Sequence, residues 1–514
     1  MKNLFVFLIL FQSVFLFAQD GKVVDRIIKT AAEDNRTMQH LDVLTNRIGG
    51  RITGSDACEN ATYWIASLLK GWGLEVQMQE VGELPVGFNR GAWSGKMLDD
   101  DGMTLHFATP SYTSGTKGVQ RGHVVMEPKT REQFEQMKGK LKGAWVLITG
   151  TNAGWPVDYS HVGDSTRAGM IAENIKIKRY NDSIAAFNRG KDAANKLPLK
   201  EFKDAPALFY KEMRAAGILG TIQASPVPIR VLYDRKNLLK MDFDHLPSCP
   251  DIKLDEHQYA VILQKVKERR YFQLEFDIRN YFKPGPVKYH NVIAIIKGSK
   301  YPDEYVMSGG HIDSFDVASG AVDCGTGVAP NLEAARLIAL AGGKPKRSIV
   351  FCFWAAEEFG LWGSKFWVEH NKDKWSRISN YFNRDGGPTV ANALTVPPAM
   401  YKAFQEATKQ LNGINPDFPF TLKMREGDPP SRPNGGSSDH AYFAKNGMPV
   451  ISFDTADPKG YDFQYGEIWH TERDTYNMSI PEYMEHSAVV TAIVLYNLAG
   501  QDKLLSREGL YREE

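Results

Sequence analysis

A chain of 514 residues is too long for one hydrophobic core, so two or three domains are expected. With 43% hydrophobic, 11% aromatic and 24% charged residues it is globular, and a formal net charge of +1 leaves no global field to recruit nucleic acid or an anionic membrane. The four cysteines, Cys58, Cys249, Cys324 and Cys352, lack any Cys-x-x-Cys spacing, which excludes zinc-finger and thioredoxin-type sites.

The first residues, MKNLFVFLILFQSVFLFAQD, combine a short basic start, an apolar stretch and a small residue at Ala18. They predict a signal peptide over 1–18, cut near Ala18, and a mature chain that is secreted or periplasmic, where one disulfide is permitted. The apolar run is short for a span, and no later segment is long and apolar enough to cross a bilayer. Residues 23–78 read as helices leading into a first strand, with a glycine stop at Gly71–Gly73. The glycine-rich loop RIGGRITGS lacks the lysine of a phosphate loop. From about 95 to 280 short strand-like runs, GAWVLITG and GILGTIQAS, surround the charged helical stretch STRAGMIAENIKIKRYNDSIAAFNRGKDAANK, a texture expected of an inserted domain.

From about 288 the pattern is regular. HNVIAIIKG, EYVMSGG, RSIVFCFWAA, NYFNRDGG and PVISFDT read as strands, with helices such as NLEAARLIALA and IPEYMEHSAVVTAIVLYNLAG between or after them. This alternation predicts an α/β fold: a mixed, mostly parallel twisted sheet with helices on both faces. Gly309 and Gly310 are expected to turn the backbone sharply at the end of their strand.

Sites in open α/β sheets gather beyond the carboxyl ends of strands. There the sequence places His311, Asp313 and Asp323, then Glu357 and Glu358, then Asp385, and finally His470 ahead of the last helix. Imidazoles and carboxylates without thiolate cages suit zinc, with cobalt or manganese as substitutes. Two ions roughly 3.5–4 Å apart need a bridging carboxylate plus one acid and one histidine each. Asp323 is the natural bridge, His311 and Asp385 complete one ion, and Glu358 and His470 complete the other. Glu357 is then left as the general base, and Asp313 fits as acceptor of the second ring N–H of His311. Each residue also has a bland reading: a helix start for Glu357–Glu358, a turn for Asp385, a core histidine for His470. Asp439, before His440, reads as a helix cap.

GGHIDS, DCGTG, AAEEFGLWGS, NRDGG, SSDHAYF and WHTERDT occur in the order seen in the M28 family of zinc exopeptidases, and the chain resembles that family over about 23–95 and 285–500. The layout is similar to its carboxypeptidase Q branch. The resemblance implies a peptidase domain over 19–95 and 281–514, and an inserted, β-rich protease-associated-like domain over 96–280. It also implies two Zn2+ ions on His311, Asp323, Glu358, Asp385 and His470, with Glu357 as base and Asp313 as the acid that partners His311. The expected activity is hydrolysis next to a free terminus, on dipeptides or short peptides. Aminopeptidase action on longer peptides, glutaminyl cyclisation and a non-catalytic binding ectodomain stand as alternatives. The expected partner is a peptide substrate, with no nucleic acid and no span in the mature chain. A homodimer remains a candidate assembly.

Overall fold

The computed structural model describes residues 22–99, 102–159 and 162–512; the expected signal peptide lies outside them. The chain divides into two compact units, one ending at Leu84 and resuming at Val287, the other running Pro85–Pro286. The chain leaves the first unit within the strand Glu75–Met97 and returns within Gln273–Ile296.

In the first unit the helix Asp56–Gly71 is capped by Ser55, whose hydroxyl accepts the Cys58 N–H at 3.0 Å, and Asp56 and Glu59 complement the dipole in its first turn. It buries Cys58, Ala61, Thr62, Ile65, Ala66 and Leu69, a helical stripe. The sheet beside it runs Ile378–Asn383, Tyr301–His311, Arg347–Trp354, then Gln273–Ile296; the first two pairings are parallel and the third antiparallel. Side chains alternate across it. Val306, Ile349, Phe351 and Phe353 pack with Leu332 and Val490 of the helices Thr326–Leu340 and Pro481–Ala499. Met307, Val350, Cys352 and Trp354 face the other way, against Trp367 and Phe443. Apolar layers on both faces explain why these strands are continuous hydrophobic runs.

Two expectations are corrected here. Gly309 and Gly310 do not turn the chain: both lie inside the strand Tyr301–His311 and neither has a positive φ. They are small because the neighbours are close; a Cβ on Gly309 would sit 1.8 Å from the Cys352 carbonyl oxygen, and one on Gly310 2.4 Å from that of Arg384. PVISFDT is not a strand throughout; only Asp454–Ala456 is, in a small sheet with Val390–Val396 and Thr421–Met424. Pro449 has no N–H for a ladder, and the Asn380 side chain instead accepts from Ile451 N–H at 2.9 Å and donates to its carbonyl at 2.8 Å.

The strand Gln273–Ile296 also pairs within the second unit. Gln120–Met126 pairs antiparallel with Gln273–Phe276, Ala144–Thr151, Gly220–Ser225 and Asp251–Asp255 follow in parallel, and Phe107–Ala108 closes the edge. Trp145, Leu147 and Ile222 pack on one side; Val146 and Ile148 pack on the other. Most of the charged stretch forms a helix, Asp164–Asn188, and a single 3-10 turn, Ala193–Asn195, follows it. Asn174, Asn181 and Asn188, seven residues apart on the helix, each hold the backbone N–H and carbonyl of Lys203, Lys200 and Leu197 in turn, at 2.7–2.8 Å.

Candidate metal centre

His311 is the last residue of its parallel strand, and its Nε2 lies 3.2 Å from Asp323 Oδ1 and 3.1 Å from Asp385 Oδ1. The second oxygen of Asp323 points the other way: Oδ2 is 3.2 Å from His470 Nε2, which is 3.0 Å from Glu358 Oε2. The five residues thus form two donor groups that share one carboxylate. Asp385 follows the strand Ile378–Asn383, and Glu357 and Glu358 occupy the turn after Trp354. The His470 ring stacks on Trp469 and packs at a tilt against Phe315, at centroid distances of 3.8 and 4.1 Å. The Cys324 thiol stands beside the first group: its Sγ and the donor atoms of His311 and Asp385 lie within 4.8 Å of one another. All four cysteines are free and buried.

Asp313 meets His311 differently from expectation. The ring Nδ1 lies 2.8 Å from the Asp313 backbone carbonyl and 3.7 Å from its carboxylate. The carboxylate is taken by other donors: Oδ1 accepts the Glu357 N–H at 3.1 Å, and Oδ2 accepts the Glu358 N–H at 3.3 Å and the Thr53 hydroxyl at 2.8 Å. Asp439 is no helix cap. It has helical φ/ψ, its side chain caps nothing, and it is fully buried.

The loop after His311 is held from a distance. Arg51, itself buried, donates to the carbonyls of Ile312, Gly49, Ser319 and Gly320 at 2.8–3.0 Å. Asp474 accepts the N–H groups of Val322 and Asp323. Arg51, Thr53 and Asp474 carry no local signature; the signals in the sequence are an arginine between glycines and small residues in IGGRITGS, and an acid four residues after His470.

The electrostatics of the cluster follow from its burial and its many carboxyls. Burial pushes the Glu357 carboxyl well above its usual range, and raises those of Glu358, Asp439 and Asp474 to about 7. Burial works against protonating His470, but Glu358 and Asp323 outweigh it and raise the imidazole to about 9. Asp323 is held below the ordinary range, because His311 and His470 outweigh its burial. Two imidazoles cannot neutralise this many carboxyls in one buried place, whereas divalent cations seated between the donor groups would. Carboxylate oxygens and imidazole nitrogens fit zinc.

Residues 291–494 match the model for Peptidase family M28. Carboxypeptidase Q of Bos taurus is 24% identical over 506 residues, covering 95% of this chain and 91% of that protein. The fold is similar to that of a peptidase M28 precursor from Shewanella amazonensis (TM-score 0.57, 19% identity, 95% of this chain and 98% of the other). It is also similar to that of BSAP, a zinc aminopeptidase from Bacillus subtilis (TM-score 0.51, 18% identity, 93% and 97%). This match lies over the segment that supplies His311, Asp323, Glu358, Asp385 and His470, so residues 291–494 carry a peptidase family M28 domain.

Proposed function

We propose that the protein is an exported dizinc exopeptidase that hydrolyses the peptide bond next to a free terminus of dipeptides or short peptides. The observation that carries this reading is the division of Asp323 between two donor groups, one with His311 and Asp385 and one with His470 and Glu358. Zinc held there would acidify a water and polarise the scissile carbonyl. The rest falls to the chain. Glu357, whose carboxyl burial raises well above its usual range, accepts a proton from the attacking water. Water oxygen bonds to the carbonyl carbon, the C–N bond breaks, and Glu357 returns the proton to the leaving amine. Asp313 fixes the backbone of Glu357 and Glu358, so base and donor keep their relative aim.

Aminopeptidase action on longer peptides is the second reading, supported by the fold shared with BSAP. The full donor set disfavours an inert binding ectodomain. Residues 96–280 fit a protease-associated type of insert in this reading. Glu357→Gln should lower turnover by about 10²–10⁴-fold while the protein keeps its bound metal. Parent-like kinetics in that variant would refute the role of Glu357. A screen of free dipeptides against aminoacyl anilides separates the two substrate readings.

A further inference from the structure

We infer that Asp474 is the positioning residue for the bridging carboxylate, an inference that rests on the two-ion reading above. Asp474 lies four residues after His470, in the turn that follows it, and is 5% exposed. Its Oδ1 accepts the Val322 N–H at 2.6 Å and its Oδ2 the Asp323 N–H at 3.3 Å. Its backbone carbonyl accepts the N–H and the hydroxyl of Ser319, at 3.1 and 3.3 Å. One residue therefore fastens the loop of the bridging acid at three positions, while Arg51 holds the same loop through the carbonyls of Ser319 and Gly320.

The arrangement occurs twice. Asp313, two residues after His311, grips the consecutive amides of Glu357 and Glu358; Asp474, after His470, grips those of Val322 and Asp323. In each case an acid just downstream of an imidazole donor spends both oxygens on the backbone of a loop that supplies a carboxylate donor. Imidazole and carboxylate from different parts of the chain are thereby set against each other by one short, rigid link. For Asp323 the aim matters most, because its two oxygens must stay divided between His311 and His470. Two fixed amides leave its backbone little freedom to rotate the carboxylate out of that position. An amide side chain could not replace Asp474, since its NH2 would face one of the N–H donors.

The experiment uses the full chain, stripped of metal and titrated with Co2+ against a chromophoric chelator. Asp474→Asn should bind the ions about 10–100-fold more weakly than the parent and show an altered cobalt absorption spectrum. Asp474→Glu, which keeps both oxygens but carries them one methylene further, should weaken binding in the same sense, and it provides the measurement if the first variant fails to fold. Parental affinity and spectrum in a folded variant would overturn the inference, as would a loss of ion-free stability with ion affinity unchanged. Failure of the parent itself to bind ions would instead overturn the two-ion reading.

Discussion

His486 shows how one buried side chain sets a pH limit. Its ring packs edge-on to Phe418, its Nε2 finds no hydrogen-bond partner among the described residues, and burial lowers its pKa to about 4. The unfolded chain binds a proton at the ordinary value near 6.5. Between pH 6.5 and 4 the unfolded state therefore holds more protons, and stability falls as pH falls through that window. His486→Phe keeps the ring and removes the titration. Thermal unfolding of both proteins in chelator should show a smaller loss between pH 7 and pH 5 in the variant; an equal loss would contradict the assignment. The same scale separates what the sequence reveals from what it hides. His311, Asp323, Glu357, Glu358, Asp385 and His470 are legible because each follows an apolar run or precedes a helix, a local pattern. Arg51, Thr53 and Asp474 are not, because they act through bonds to positions some 150 to 270 residues away along the chain. Asp439 misleads: an acid before a short helix has the local chemistry of a cap, and only burial of its carboxylate tells otherwise.

Among elements, the clearest departure from ordinary packing is the helix Asp164–Asn188. Helices of this length usually bury an apolar stripe, yet this one buries only Arg167, Ile177 and Ile184. Its asparagine row takes over part of that work by pairing with the backbone of residues 197–203, which leaves Leu197, Leu199 and Phe202 exposed. Replacing Asn174, Asn181 and Asn188 together by Ala removes six hydrogen bonds and should free this segment, so that trypsin cuts after Lys200 and Lys203 several-fold faster than in the parent. Unchanged cleavage would show that the segment is held by other contacts. The sequence displays the helix through its composition but not the row, since asparagines seven apart are unremarkable until a second segment lies beside them. Strand existence was legible from apolar runs in the same way. The fate of PVISFDT was not, because a proline and a distant Asn380 decide it.

At the scale of the whole molecule, the sheet of the first unit explains why the donors converge. Two parallel pairings align the carboxyl ends of Ile378–Asn383, Tyr301–His311 and Arg347–Trp354, so Asp385, His311 and Glu358 emerge at one edge of the sheet. The Asp323 loop and His470 are then brought to them by backbone clamps rather than by strands. No helix among the described residues is long and apolar enough to cross a membrane. The account stands on a pair of cations shared by Asp323, and anomalous diffraction at the zinc edge, on crystals of the zinc-loaded protein, addresses it directly. Two peaks are predicted, one among His311, Asp323 and Asp385 and the other among Asp323, Glu358 and His470. A single peak away from Asp323, or none at these residues, would contradict the account.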